Sequence, residues 1–368
     1  MAKILIIANS RSPLARQRAL VGQAAGHQIY WFSNPRIDFP NVIALGSPTW
    51  GGRLGRYLLD PIALMVAIRR IQPDLIHVHY ADQGRRTPFL LHHHPLVVST
   101  MGGDILPDQL CRGFSAKRVR ALLNQADCIT SKSNFLDEAL TRIGNYHEKV
   151  RRVTWGVDLE QFRPDREVNY IRAKWNISSA DLVFFDPRLA WPLYNKDVIL
   201  IAFANYLRAG GPPAILIVAE LMAVPSYASK LQQQANDLGI AERVRFVGEL
   251  DYASMPDYYA LADATISIPS SDGLPQTIYE ALACGSFLIL SHLPQYNGIV
   301  EEGVTARRVP PGDANAVAEA MAWVAARPEL RERVGQVGRA YVQKHADRRT
   351  QTQLVNQIYA ELLRKYKR

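Results

Sequence analysis

Ala264–Leu290 reads ATISIPSSDGLPQTIYEALACGSFLIL, a strand, a tight loop, a short helix and a second strand. Pro275 suits a first helical position, where a missing N–H costs nothing. Gly285 suits the left-handed residue just past a helix end. The loop brings Ser270, Ser271 and Gly273 to a helix N-terminus beyond the carboxyl end of a strand. Free N–H groups and the helix dipole favour a phosphate there. Asp272 and Glu280 flank that position with seven residues between them. Two carboxylates are poor phosphate ligands but good acceptors for sugar hydroxyls, and the combination fits a nucleotide sugar.

Outward from this stretch, short apolar runs alternate with helical ones over the whole chain. The first half has Lys3–Ala8, His27–Ser33, Val42–Leu45, Asp74–Tyr80, Leu96–Thr100, Cys128–Ser131 and Arg151–Thr154. The second has Leu182–Asp186, Ala214–Ala219, Val244–Gly248, Ala264–Pro269, Ser286–Ser291 and Ala306–Val309. Apolar strands between helices predict parallel sheets covered on both faces. The expectation is an α/β chain with two doubly wound, Rossmann-like domains facing a cleft.

The 368 residues exceed one ordinary core and fit two domains. No apolar run reaches the roughly 18 residues that span a bilayer, and the N-terminus reads as a first strand without a leader. Cys111, Cys128 and Cys284 have no close pair, which points to a reducing cytoplasm. Residues 1–164 hold 21 Lys and Arg against 12 Asp and Glu, whereas residues 165–368 hold 22 of each. The basic first half suits an anionic partner, such as a lipid diphosphate or an anionic membrane surface.

The Asp272–Glu280 spacing, with Gly273-Leu274-Pro275 inside it and Glu280-Ala-Leu-Ala-Cys-Gly285 closing it, resembles the acidic-x7-acidic signature of retaining glycosyltransferases of family 4. Asp272 stands where the usual first acid is Glu. Gly26-His27, Gly156-Val157-Asp158 with Phe162-x-Pro164, Val244-x-Phe246-x-Gly248 and Pro311-Gly312-Asp313 extend the resemblance over nearly the whole chain. It implies the GT-B fold, with an acceptor domain over residues 1–164 and a donor domain over 165–349. The closing helix, about 350–368, would cross back to the first domain. Asp272 would hold the donor sugar and Glu280 the ribose, and Arg188 would clamp the diphosphate after strand Leu182–Asp186. The usual diphosphate Lys position holds Tyr194, with Lys196 two residues on. Either Lys196 reaches in or Tyr194 takes over part of its role. Further donor contacts are implied at Ser271, Gly273, Leu274, Pro275, Val247, Gly248 and Glu220. Main-chain groups at Val247 and Gly248 would suit uracil or another pyrimidine-like edge.

In the acceptor half, the candidates are Arg11 and Arg16 in the first strand–helix turn, His79 at a strand end, and Gly102, Gly103 and Asp104 after another strand. Arg11 and Arg16 either meet an acceptor phosphate or merely begin a solvated helix. Asp104 either binds a sugar hydroxyl or caps a helix. Met101 replaces a frequent family His. The first strand–helix turn lacks the close glycines of a nicotinamide dehydrogenase. His92-His93-His94 has no accompanying carboxylates or cysteines, and no Asp-x-Asp occurs, so neither a metal nor a cofactor is expected. The basic, apolar stretch Arg112–Leu123 suits interfacial membrane contact.

The expected activity is metal-independent, retaining transfer of a hexose from a nucleoside-diphosphate sugar to a lipid-linked or saccharide acceptor. It would serve cell-surface polysaccharide or glycoconjugate synthesis at the inner face of the membrane, with no nucleic-acid partner. A nucleotide-sugar epimerase of the same architecture and a non-catalytic sugar-nucleotide-binding protein are the alternatives.

Overall fold

The structure is a computed structural model describing residues 1–9, 12–34, 36, 38, 41–46, 52–106 and 114–366. The chain divides into two compact units, Met1–Gly156 with Arg349–Arg368, and Val157–Arg348.

In the first unit, β1 (Lys3–Ile7), β2 (Gln28–Phe32), β3 (Ile43–Leu45), β4 (Leu75–His79), β5 (Leu96–Ser99), β6 (Cys128–Ser131) and β7 (Val150–Arg152) form one sheet. Its order is β3-β2-β1-β4-β5-β6-β7, with parallel pairing throughout. The helices between them are α1 (Pro13–Ala24), α2 (Gly52–Ile71), α3 (Phe114–Gln125) and α4 (Asn134–Ile143). Ile4 to Ile7 are all fully buried, because successive side chains enter cores on opposite faces. Leu5 and Ile7 join Leu64 of α2, Leu122 of α3 and Leu136 of α4. Ile4 and Ile6 join Ala15 and Ala19 of α1 and Val355, Ile358, Tyr359 and Leu362 of the closing helix. That helix also supplies Gln351, whose side-chain oxygen accepts the Thr154 N–H at 2.8 Å.

The second unit runs α5 (Asn169–Lys174), β8 (Leu182–Asp186), α6 (Lys196–Arg208), β9 (Ala214–Val218), α7 (Pro225–Asp237) and β10 (Val244–Phe246). It continues with α8 (Met255–Leu261), β11 (Ala264–Ser267), α9 (Gln276–Ala283), β12 (Phe287–Ser291) and β13 (Ala306–Val309). Helices α10 (Ala314–Ala325) and α11 (Leu330–His345) follow, before α12 (Arg348–Lys365) returns to the first unit. The sheet order is β10-β9-β8-β11-β12-β13, again parallel. In both units the order reverses beside the first strand, between β1 and β4 and between β8 and β11. Open α/β sheets bind ligands outside the carboxyl ends of strands at such a reversal.

The division falls at Gly156–Val157 rather than after Pro164. The Val157 N–H bonds the Ala346 carbonyl at 2.7 Å, and the Arg348 N–H bonds the Val157 carbonyl at 2.9 Å. Phe162 is fully buried in the second core, against Tyr252 and Tyr259. Phe162→Ala is therefore expected to cost about 3–5 kcal/mol. Hydrogen exchange should accelerate in β8 and β11 while β1 and β4 stay protected; faster exchange in β1 instead would place Phe162 with the first unit.

Candidate functional site

The reversal point of the second sheet carries a connected set of charged groups. Pro275 directly precedes α9 in an extended conformation, one residue before its expected helical position, and Gly285 follows the helix at φ +74°. Between β11 and α9 the chain turns sharply enough to hold buried Leu274 at φ +78°. A bulky residue rarely adopts that region, and such strain concentrates at ligand sites. The turn presents Asp272 to Arg188: one guanidinium nitrogen donates to its Oδ2 at 2.7 Å, and the Gly273 N–H donates to its Oδ1 at 2.7 Å. The Gln295 side-chain amide anchors the Asp272 carbonyl from below at 2.6 Å.

Arg188 is itself fixed from three sides. Its other terminal nitrogen donates to Ser267 Oγ at 3.1 Å, and its guanidinium lies 4.4 Å from the Tyr194 ring centroid. Its backbone N–H donates to Asp186 Oδ1 at 3.0 Å. Burial disfavours the Arg188 charge, but Asp272, together with Tyr194 and Tyr296, outweighs it and holds its pKa above the ordinary value. Tyr194 ends a short turn, Pro192–Tyr194, latched by Asn195, whose side-chain amide donates to the Ile268 carbonyl and to Ser270 Oγ. Tyr296 adds a fully buried hydroxyl without a hydrogen-bond partner, close enough to Asp272 for that charge to raise its pKa after the larger effect of burial.

Glu280 lies on α9, 4% exposed, and its two oxygens accept the Tyr252 and Tyr259 hydroxyls at 2.8 and 3.0 Å. Burial pushes its pKa up to about 7, against the opposing pull of the two tyrosines.

The family model described as Glycosyl transferases group 1 matches residues 169–341, and that described as Glycosyltransferase Family 4 matches residues 18–161. This chain belongs to glycosyltransferase family 4. It is 28% identical over 310 residues to the D-inositol 3-phosphate glycosyltransferase of Saccharomonospora viridis, covering 79% of this chain and 70% of that one. It is 25% identical over 253 residues to a GDP-mannose-dependent phosphatidylinositol monomannoside mannosyltransferase of Mycolicibacterium smegmatis, covering 66% of this chain and 64% of the relative. Its fold is similar to that of sucrose-phosphate synthase from Thermosynechococcus elongatus, at a TM-score of 0.83, 20% identity and coverage of 99% and 100%. The Anabaena HepE structure with UDP and glucose matches at 0.79, 18% identity and coverage of 98% and 100%. The fold is GT-B and the protein is a glycosyltransferase.

Lys196 differs from the expectation in this family 4 chain. Its ammonium is 1% exposed and donates to Asp186 Oδ2 at 2.7 Å, so it does not reach a diphosphate. Burial raises the Asp186 pKa and lowers that of Lys196, and their mutual attraction opposes both shifts. Asn195, left-handed at φ +52°, starts α6 so that Lys196 turns inward and Tyr194 outward beneath Arg188. Farther along the sheet, the Gly248 carbonyl accepts the Glu220 N–H at 2.8 Å, and the Val247 N–H bonds the Val218 carbonyl. Gly248 turns the chain at φ +69°. Glu220 and Ser271 are half-buried.

At the reversal point of the first sheet, a cavity of about 510 Å³ is lined by Asn9, Ser12, Asn34, His79, Asp82 and Trp155, among others. His79 faces this cavity, whereas Arg16 of α1 is half-buried and does not line it. Arg11 lies outside the described residues. Gly102 and Gly103 form a turn whose N–H at Gly102, with those of Ala81 and Met101, is taken by Asp104. Asp104 is 1% exposed and, with these three N–H groups, caps the turn. Tyr296, Gln295 and the tyrosines on Glu280 leave no signal in the sequence, because they stand where ordinary core residues stand.

Breaking a buried pair strands a charge and costs about 3–5 kcal/mol. Lys196→Met should lose stability in that range by denaturant unfolding, and adding Asp186→Asn should recover part of it. A loss below about 1 kcal/mol would show that Lys196 is solvated.

Proposed function

We propose that the protein transfers a hexose with retention, without a metal, from a nucleoside-diphosphate sugar held by the second unit to a saccharide or lipid-linked acceptor held by the first. The observation that carries this reading is Arg188, buried and stacked on Tyr194 while paired with Asp272 at the start of α9. In the reaction, the bond from the sugar C1 to the diphosphate breaks and one from C1 to the acceptor oxygen forms on the same face. The acceptor proton passes to a departing phosphate oxygen. Arg188, the N–H groups near Gly273 and the α9 dipole stabilise the charge on that leaving group. Asp272, shared with Arg188, accepts sugar hydroxyls, and Glu280 accepts the ribose.

Asp186 and Lys196 act through Arg188 by fixing its backbone. Leu274 and Pro275 set the turn, while Ser271, Tyr194, Glu220, Val247 and Gly248 complete the donor contacts. UDP is the proposed nucleotide, in keeping with the UDP in the HepE structure; GDP is the alternative raised by the mannosyltransferase relative. Docking on anionic lipid through the first unit is favoured by its basic excess and by Phe114, 80% exposed at the start of α3. No helix among the described residues is long and apolar enough to cross a membrane.

Arg188→Ala is expected to lower kcat more than it raises KM, since leaving-group charge develops in the transition state. A change in KM alone would reduce Arg188 to an anchor. Activity should persist in excess chelator, and restoration only by magnesium or manganese would overturn the metal-independent reading.

The Glu280 pKa near 7 sets a pH dependence. Ribose hydroxyls donate to the ionised carboxylate, so below pH 7 a proton must leave before the donor binds. UDP-glucose, whose phosphates stay ionised throughout, should bind several-fold more tightly at pH 8 than at pH 6. Glu280→Gln should bind at least about tenfold more weakly at pH 8, with a flat profile. A flat wild-type profile would remove Glu280 from the ribose.

A further inference from the structure

The first unit contains a buried cation that the transfer chemistry above does not use. Arg18 on α1 is 7% exposed. One guanidinium nitrogen donates to the Thr154 carbonyl at 2.5 Å, and the group lies 5.4 Å from the Trp155 ring centroid. Among the described residues no carboxylate meets it, and burial lowers its pKa to about 10. A buried charge without a counter-ion is a strong liability, and natural chains usually pair it. The charged side chains lining the neighbouring cavity illustrate the rule: Arg86 is held in a fork by Asp60, and Asp82 by Ser115 and Arg118.

His79 packs edge-on against the same tryptophan, with ring centroids 5.5 Å apart. It is 6% exposed, and neither ring nitrogen has a partner. Burial, then the Arg18 charge, depress its pKa to about 3. The ring is therefore neutral at physiological pH and offers one N–H donor and one lone pair. It lines the 510 Å³ cavity. Arg18 lines an adjoining recess of about 10 Å³, and Met101 and Trp155 are shared by both walls. Such a recess holds one water at most, so a ligand filling the larger cavity meets the Arg18 field and the His79 donor together.

We propose that Arg18 and His79 form a subsite for an oxyanion, a phosphate or carboxylate carried by the acceptor. The Arg18 charge supplies the attraction, His79 donates to an anionic oxygen, and the amides of Asn34 and Gln83 on the cavity wall suit neighbouring hydroxyls. That the anion belongs to the acceptor rests on the transfer reaction proposed above; that the subsite binds an oxyanion does not.

The test is a titration of the whole protein, labelled with ¹⁵N in its histidines, with inorganic phosphate and separately with acetate. UDP is present at saturation to fill the phosphate site of the second unit. The His79 resonances, assigned by their loss in His79→Asn, are expected to shift saturably with phosphate, with acetate, or with both; the stronger ligand identifies the group. Arg18→Gln should weaken that binding at least tenfold without lowering Tm, since it removes an uncompensated charge. Where Arg18→Gln fails to fold, Arg18→Lys keeps the charge and should retain binding within about tenfold. His79 resonances in the wild type that ignore both anions would overturn the subsite, and so would a shift that Arg18→Gln leaves unchanged. A wild type that still transfers glycosyl groups while His79 ignores both anions would leave the transfer reading standing and remove only the subsite.

Discussion

Parallel strands end on one edge, and this constraint places everything else. With every strand of a sheet parallel, all carboxyl ends lie together, and the order reversal beside the first strand opens a crevice there. In the second unit the reversal separates the ends of β8 and β11, which carry Asp186, Arg188, Ser267 and Asp272. In the first it separates β1 and β4, which carry Asn9 and His79. Neither site needs long-range design beyond the sheet order itself. The buried faces on both sides, with Ile4 and Ile6 opposed to Leu5 and Ile7, make that order rigid.

What was legible in the sequence follows from this geometry. Strands buried on both faces, such as β4 and β12, are legible because they must be apolar runs, whereas β7, Val150–Arg152, is largely exposed and is legible only from the alternation of elements. The strand ends pointed directly at Arg188, Asp272 and His79. The choice between Lys196 and Tyr194 is not legible in the sequence, because it depends on a single left-handed residue, Asn195, at the start of α6. Asp186, the partner of Lys196, ends an apolar strand, where a buried carboxylate leaves no periodic trace. Spacing along α1 puts Arg16 and Arg18 on different faces, but only the Thr154 carbonyl and Trp155, more than a hundred residues away, show that the Arg18 face is closed. Tyr296 was illegible for the same reason, since its unpartnered hydroxyl is a property of its surroundings.

The Arg188–Asp272 pair links two recognition tasks. An ion pair this buried holds both side chains in one arrangement, and each is the natural ligand for a different part of a sugar nucleotide. In the proposed reaction a diphosphate drawing on Arg188 loosens its hold on Asp272, which is then free to accept sugar hydroxyls. The diphosphate and the sugar are thereby recognised together. The desolvation cost of Arg188 is already met within the fold, so the ligand does not have to supply it. The shorter Asp in place of Glu fits this arrangement, since the Gly273 N–H and Arg188 occupy its two oxygens at 2.7 Å each.

Arg18 stands apart from the other buried cations of both units. In the second, each strongly buried cation near the site has an internal partner: Arg188 has Asp272 and Lys196 has Asp186. An arriving anion must compete with a carboxylate already in place, so affinity there is traded for pre-organisation. In the first, Arg18 lacks such a partner among the described residues, and burial together with its field keeps His79 neutral. An anion arriving there competes with nothing and completes an unfinished set. A site that must release its ligand as a charged leaving group is better served by the first arrangement, and a site that must capture a ligand from dilute solution by the second.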